Sequence, residues 1–404
     1  MANKKENPYS YFHLLSDTIK ERSFKRGVRV HDLKLQALRE RPVPKRGSWG
    51  RNDDGSEMKR KDYEKILESF TPSLPDILFP KANTHFSLTD YSGKATTIRE
   101  LSESRNAGLL TFKSNFESPF ESNNTVRAHL YPERTKKNRS SFKKAIIILP
   151  NLRAEERAFS TLARLLNKFG YTVLELVHPY HGERHDPNDT EMVAGERLFS
   201  SNMLDTLYSF SQGISDILGL LLYITREGFT RIGGIGASVG STFMIMSLAY
   251  SSVFREFLFK ENPILVEKLP ESIFKAAIIN LSGGYLRDFI MDPKNIEAGF
   301  VRKGLVDDLN LTGDEVEKLW PVVDPMKFVN KINIPILAVK AKQDPVLQYR
   351  YSKQQRDFFS MNEVGGKNFR EFYMPFPAGH YSSTYFLPKM TLGISNLLFI
   401  LKHV

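Results

Sequence analysis

Three residues far apart in the chain have the types and the order that acyl-transfer chemistry needs. Ser238 sits in Gly236-Ala237-Ser238-Val239-Gly240, a G-x-S-x-G pattern. Asp344 stands just past the apolar run Pro335-Ile336-Leu337-Ala338-Val339-Lys340-Ala341, and His380 closes Pro375-Phe376-Pro377-Ala378-Gly379-His380. A serine hydroxyl is a weak nucleophile until a base takes its proton. Imidazole can take it, and a carboxylate on the far ring nitrogen fixes the tautomer and stabilises the imidazolium. Ser238 is therefore read as nucleophile, His380 as base and Asp344 as orienting acid. Alone, His380 would be an ordinary surface histidine, and Asp344 before Pro345 a turn residue. Their order, each at the end of an apolar run, gives them meaning together.

Such chemistry also needs two donors for a developing oxyanion. One is expected from the N–H of Val239, directly after the nucleophile. The other is expected from the turn after Leu149, at Asn151 or Leu152. The loop from His178 to Asp186 holds His178, His181 and His185. Imidazole is a common metal ligand, but the spacing matches no strong metal motif and a serine triad needs none. No metal and no cofactor are expected. Gly182 is read as permitting a tight turn beside the site. Arg184 either holds that loop by hydrogen bonds or binds an anionic part of the substrate. Glu155 and Glu156 read as first-turn helix residues, not acids of the reaction.

These residues require elements that place them on one rim. Arg231–Ile235 reads as a buried strand feeding the turn at Ser238, and Phe243–Tyr250 as the helix leaving it. Strands are expected at 145–149, 171–177, 276–281, 335–341 and 369–374. Helices are expected at 155–169, 201–226 with a break near Gly213, 349–359 and 383–402. Ala145–Leu149 is apolar at every position, as in a strand covered on both faces. The strand–helix alternation argues for an α/β doubly wound sheet. Upstream, 84–88, 108–112 and 124–131 read as antiparallel strands, 62–74 as a short helix and 41–58 as a linker or surface loop. Residues 285–328 are longer than an ordinary crossover. They read as a helical insertion, a lid or wall, whose apolar residues motivate an apolar substrate.

The chain has 404 residues, 41% of them hydrophobic, which suffices for a large core. It has no cysteine, which excludes disulfides and a thiol nucleophile. No run of about eighteen apolar residues marks a transmembrane span. No secretory signal is evident, and the expected location is cytoplasmic. The net charge is +11, of which residues 1–61 carry +8, from sixteen basic and eight acidic groups. Residues 1–61 are thus a basic extension before a nearly neutral body, 62–404. Tyr11, Leu15 and Ile19 form an apolar helical stripe in it. The extension either lies over its own domain or contacts a membrane surface or a protein. Its charge is scattered and no recognised module is present, so nucleic acid is not an expected partner. Nothing in the sequence sets an oligomeric state.

The elbow at Ser238, with Asp344 after the penultimate strand and His380 after the last, resembles the alpha/beta-hydrolase superfamily over about residues 120–404. The loop Pro179-Tyr180-His181-Gly182-Glu183-Arg184 resembles the dienelactone-hydrolase-related and bacterial esterase members. There is a looser similarity to the alpha/beta hydrolase domain-containing group 18. Ser241 stands where the commoner elbow has a second glycine. The resemblance implies a mostly parallel eight-stranded sheet, an acyl-enzyme, no cofactor and a small-molecule ester substrate. An acyltransferase, or a catalytically silent scaffold that works through its basic leader, are the alternatives.

Overall fold

The structure is a computed structural model. It describes residues 47–50, 56–68, 84–134, 143–189, 194–261, 267, 269, 271–295, 298–319, 324–344, 346–361, 368–375, 378–380 and 386–404. The leader to residue 46, with its apolar stripe, lies outside the described residues.

Nine strands form one sheet: β1 Phe86–Asp90, β2 Gly108–Lys113, β3 Thr125–Tyr131, β4 Lys143–Leu149, β5 Tyr171–Val177, β6 Phe229–Ala237, β7 Phe274–Asn280, β8 Ile336–Lys340 and β9 Phe369–Tyr373. Their spatial order is β1-β2-β3-β5-β4-β6-β7-β8-β9. The pairs β1–β2, β2–β3 and β3–β5 are antiparallel, and every pair from β5 across to β9 is parallel. The sheet has one strand more than the resemblance implied.

Strand geometry sends successive side chains to opposite faces, so an all-apolar strand must feed two cores. β4 does this. Ala145, Ile147 and Leu149 join the larger core, whereas Ile146 and Ile148 join the smaller one. The helices that fill these layers are α1 Ser160–Asn167, α2 Met203–Arg226, α3 Val239–Glu261, α4 Tyr349–Met361 and α5 Phe386–His403. Apolar residues of α2 and α3 line the larger core, and those of α1 and α5 the smaller.

α2 runs unbroken through Gly213. A Cβ there would lie 2.5 Å from the Phe243 ring, so this glycine serves a close approach of α2 and α3 and no helix break. Among the described residues, α2 alone is long and apolar enough to cross a membrane. Its apolar window is 94% buried inside the protein, which makes it a core helix.

Residues 47–50 are clasped to the domain and are no solvated linker. Ser48 N donates to Ser201 O at 3.2 Å, and Met203 N to Ser48 O at 3.0 Å. Trp49 packs on Tyr63, with ring centroids 5.7 Å apart, and Met58 and Tyr63 enter the larger core. The 285–328 region forms the short helices Leu286–Met291, Gly299–Lys303 and Gly313–Leu319, with a π-helical turn at Gly304–Asp308. Ile290, Val301, Leu305 and Val316 are buried in the larger core. Packing accounts for these side chains, so they no longer argue for an apolar substrate.

The loop after β5 is fastened to α2 by a buried polar network. The Arg184 guanidinium is fully buried and ion-pairs with Asp216 of α2 at 2.8 Å. It also donates to Val177 O at 2.9 Å and Asn123 O at 2.7 Å. Burial raises the Asp216 carboxyl above its ordinary range, opposed by the Arg184 charge. Ser114 Oγ donates to the same carboxylate at 2.6 Å. Arg184→Met would leave a buried carboxylate without its cation, a loss of about 3–5 kcal/mol. Urea denaturation should show it, and a variant as stable as the natural protein would contradict the network's role.

Candidate active site

The turn at Ser238 joins β6 to α3. Its backbone has φ 52°, in the left-handed region that non-glycine residues seldom adopt. Two interactions hold it there: Ser238 N donates to Asn280 O at 2.8 Å, and Ser241 Oγ donates to the same oxygen at 3.0 Å. Ser241 is fully buried, and a small hydroxyl suits a position where glycine is commoner. The flanking glycines are required by contact. A Cβ on Gly236 would lie 2.5 Å from Gly240 O, and one on Gly240 would lie 2.0 Å from Leu149 O. α3 therefore starts with its backbone against the end of β4.

The residues picked from the sequence converge here. His380 Nε2 lies 3.1 Å from Ser238 Oγ, and His380 Nδ1 lies 2.9 Å from Asp344 Oδ2. Asp344 Oδ1 accepts from Val346 N at 2.9 Å and Leu347 N at 2.7 Å. One carboxylate oxygen is thus anchored to the backbone and the other is presented to the ring. A carboxylate accepts only, so Nδ1 carries the proton and Nε2 is left to accept from the serine hydroxyl. This order is the one that activates a hydroxyl.

The turn after β4 lies beside the serine, and its N–H groups can be followed one by one. Arg153 N donates to His181 Nε2 at 2.9 Å, and Ala154 N to Asn151 O at 3.1 Å. Among the described residues none of the Asn151, Leu152 and Val239 N–H groups has an acceptor. They belong to the pair of segments expected to supply oxyanion donors. Asn151 Nδ2 donates to Leu152 O at 3.1 Å, so this side chain shapes the turn.

The loop histidines are struts for that turn, a role with no local signal in the sequence. His181 Nδ1 donates to Pro179 O at 2.8 Å, which leaves Nε2 as the acceptor for Arg153 N. His178 Nε2 donates to Pro150 O at 2.8 Å. The His178 ring stacks on Phe243 at 5.0 Å. Burial depresses both: His181 titrates at about 4 and His178 at about 3. Both are neutral near pH 7. Gly182 has φ 50°, and a Cβ there would come within 2.7 Å of Glu156 Oε1. Arg184 serves the loop, as its buried partners show. Glu155 and Glu156 are exposed and precede α1. Among the described residues no three histidine or carboxylate side chains are grouped to hold a metal ion.

Sequence reasoning missed Glu175, the single acid in the apolar strand β5. It is buried, accepts from Phe159 N at 2.9 Å, and has its carboxyl pushed up to about 7 by burial.

The sheet order, the helices on both faces and the elbow rim define a known architecture. The chain has the alpha/beta-hydrolase fold. Its structure is similar to acetyl xylan esterase 1 from a Thermoanaerobacterium species (TM-score 0.54, 13% identity, 91% of this chain and 98% of that one). It is also similar to the Pyrococcus horikoshii acylaminoacyl peptidase (0.50, 14% identity, 80% and 48%). A third likeness is to a Mycobacterium tuberculosis puromycin-hydrolyzing peptidase (0.50, 11% identity, 74% and 44%). The chain spans less than half the length of either peptidase. No protein-family model and no curated protein sequence matches this chain.

His181→Phe tests the strut. It leaves the Arg153 N–H without an acceptor, at a cost of about 1–3 kcal/mol near neutral pH. A histidine whose folded pKa is depressed stabilises the fold above its unfolded value of 6.5 and loses that contribution as pH falls through about 4. The gap between natural protein and variant in denaturant titrations should therefore narrow with acid. Equal stability at neutral pH would contradict the assignment.

Proposed function

We propose that this protein is a serine hydrolase that cleaves a carboxylic ester through an acyl-enzyme. The observation that carries the reading is the ordered contact Asp344–His380–Ser238, at 2.9 Å and 3.1 Å. In this mechanism Ser238 Oγ attacks the ester carbonyl carbon as His380 Nε2 takes its proton. Asp344 holds the imidazolium. The oxygen of the tetrahedral intermediate accepts from the N–H of Val239 and from that of Asn151 or Leu152, and each such donor contributes about 3 kcal/mol. The intermediate collapses, and the leaving alkoxide takes the proton from His380. A water then gives a proton to His380 and attacks the acyl carbon, which releases the acid and restores Ser238. No step calls on a metal or cofactor.

The proposal takes residues 62–404 as the catalytic unit, with 285–328 as a wall beside it. Kinship with the dienelactone-hydrolase-related esterases is part of it. That finer placing rests on the Pro179–Arg184 loop, where His181, Gly182 and Arg184 fix the turn beside the serine. A cytoplasmic location, and contact of residues 1–61 with a membrane surface or protein, complete the reading. Hydrolysis is favoured over acyl transfer because water alone suffices as acceptor for this set of groups.

The test is hydrolysis of a short p-nitrophenyl acyl ester. Ser238→Ala should fall to background. Asp344→Asn keeps the shape but favours the wrong tautomer, and should lower kcat by about 10³–10⁴-fold with little change in KM. Undiminished turnover in either variant would overturn the proposal.

A further inference from the structure

A polar hollow lies along α1, between that helix and the segments that follow β1, precede β2 and follow β3. Its volume is about 400 Å³, and a neighbouring chamber of about 310 Å³ shares Tyr91, Tyr131, Arg157 and Arg164 with it. None of the Ser238, Asp344 and His380 side chains lies on its walls. A hollow of this size holds more than a bare ion.

Its charge is one-sided. Arg105, Arg134, Arg157 and Arg164 line the two chambers, against the two acids Asp90 and Glu156. The arginines come from separate segments: Arg105 from the end of the helix before β2, Arg134 from the stretch after β3, Arg157 from the segment leading into α1 and Arg164 from α1 itself. Folding has gathered them. Asp90 forms no ion pair with them; its Oδ1 accepts from Ser92 N at 2.9 Å, Ser92 Oγ at 2.6 Å and Lys94 N at 3.1 Å. Among the described residues no carboxylate is ion-paired to any of the four arginines. Two of them are held in place: Arg157 stands over the Tyr91 ring at 5.0 Å, and Arg134 Nη2 donates to Arg105 O at 2.9 Å.

A second observation points the same way. Asn167, at the end of α1, lines the hollow and is only 1% exposed. Its Oδ1 has no hydrogen-bond partner. An unmatched buried amide oxygen is costly, and a hydroxyl on a bound molecule would satisfy it.

We propose that this hollow binds a phosphate monoester, with guanidinium forks on the phosphate oxygens and the Asn167 amide on a hydroxyl. Arginine suits phosphate because its planar fork matches two oxygens at once. The same chemistry occurs in a soluble phosphorylated molecule and in a phospholipid head group.

The experiment uses the full chain and two probes. Inorganic pyrophosphate is titrated calorimetrically, and flotation is followed with phosphatidylcholine vesicles with and without phosphatidic acid. Arg157→Gln with Arg164→Gln removes one wall. Arg105→Gln with Arg134→Gln removes the other, so that a folding defect in one pair leaves the other informative. Arg231→Gln with Arg370→Gln removes equal charge elsewhere. The proposal expects binding by the natural protein and the control pair, weakened about tenfold or more in the cavity pairs, as loss of charge-assisted bonds implies. Binding of pyrophosphate alone would assign a soluble ligand, and binding of phosphatidic acid vesicles alone a head group. No binding of either probe, or equal binding by cavity and control variants, would overturn it.

Discussion

Backbone packed directly on backbone at Gly236 and Gly240 is the constraint from which the site follows. Any side chain at Gly240 would collide with main-chain atoms of Leu149 and Pro150. With both glycines in place, α3 can start against the end of β4. That crossing puts the Val239 N–H beside the turn after β4 and leaves Ser238 half-buried on a strained corner. The strain is offset locally, since Asn280 O takes hydrogen bonds from both Ser238 N and Ser241 Oγ.

The rest of the protein holds the partners of that corner in position. The buried Arg184–Asp216 pair fixes the loop after β5 to α2. That loop carries His178 and His181, which grip Pro150 and Arg153 of the turn after β4. The struts work only when neutral, because a protonated His181 would present a second donor to the Arg153 N–H. Burial supplies the neutrality. The titratable groups near the site thus divide by environment. His178 and His181 are locked in one protonation state, whereas His380 sits between a hydroxyl and a carboxylate, where a proton can move.

Much of this was legible in the sequence because it is encoded locally. G-x-S-x-G fixes the elbow by steric need, and continuous apolar runs report strands buried on both faces. Asp344 and His380 could be singled out because each follows such a run. What the sequence left hidden depends on distant partners. Gly213 read as a helix break, yet it accommodates Phe243. Residues 41–58 read as a linker or surface loop from their Pro, Gly and charge, yet among the described ones Trp49 and Met58 pack against the body. The apolar residues of 285–328 suggested a substrate surface, but the core claims Ile290, Val301, Leu305 and Val316. The strut roles of His178 and His181 stayed hidden because residue type does not reveal which carbonyl or N–H will face each ring nitrogen.

The central claim is that folding alone makes one serine hydroxyl far more nucleophilic than the rest. The most direct measurement is peptide mapping by mass spectrometry after brief exposure to a fluorophosphonate, with native and urea-unfolded protein compared. The account predicts a single adduct, on Ser238, in the native protein, absent after unfolding and absent from His380→Ala. Native protein without an adduct on Ser238, or an adduct there that survives loss of His380, would contradict it.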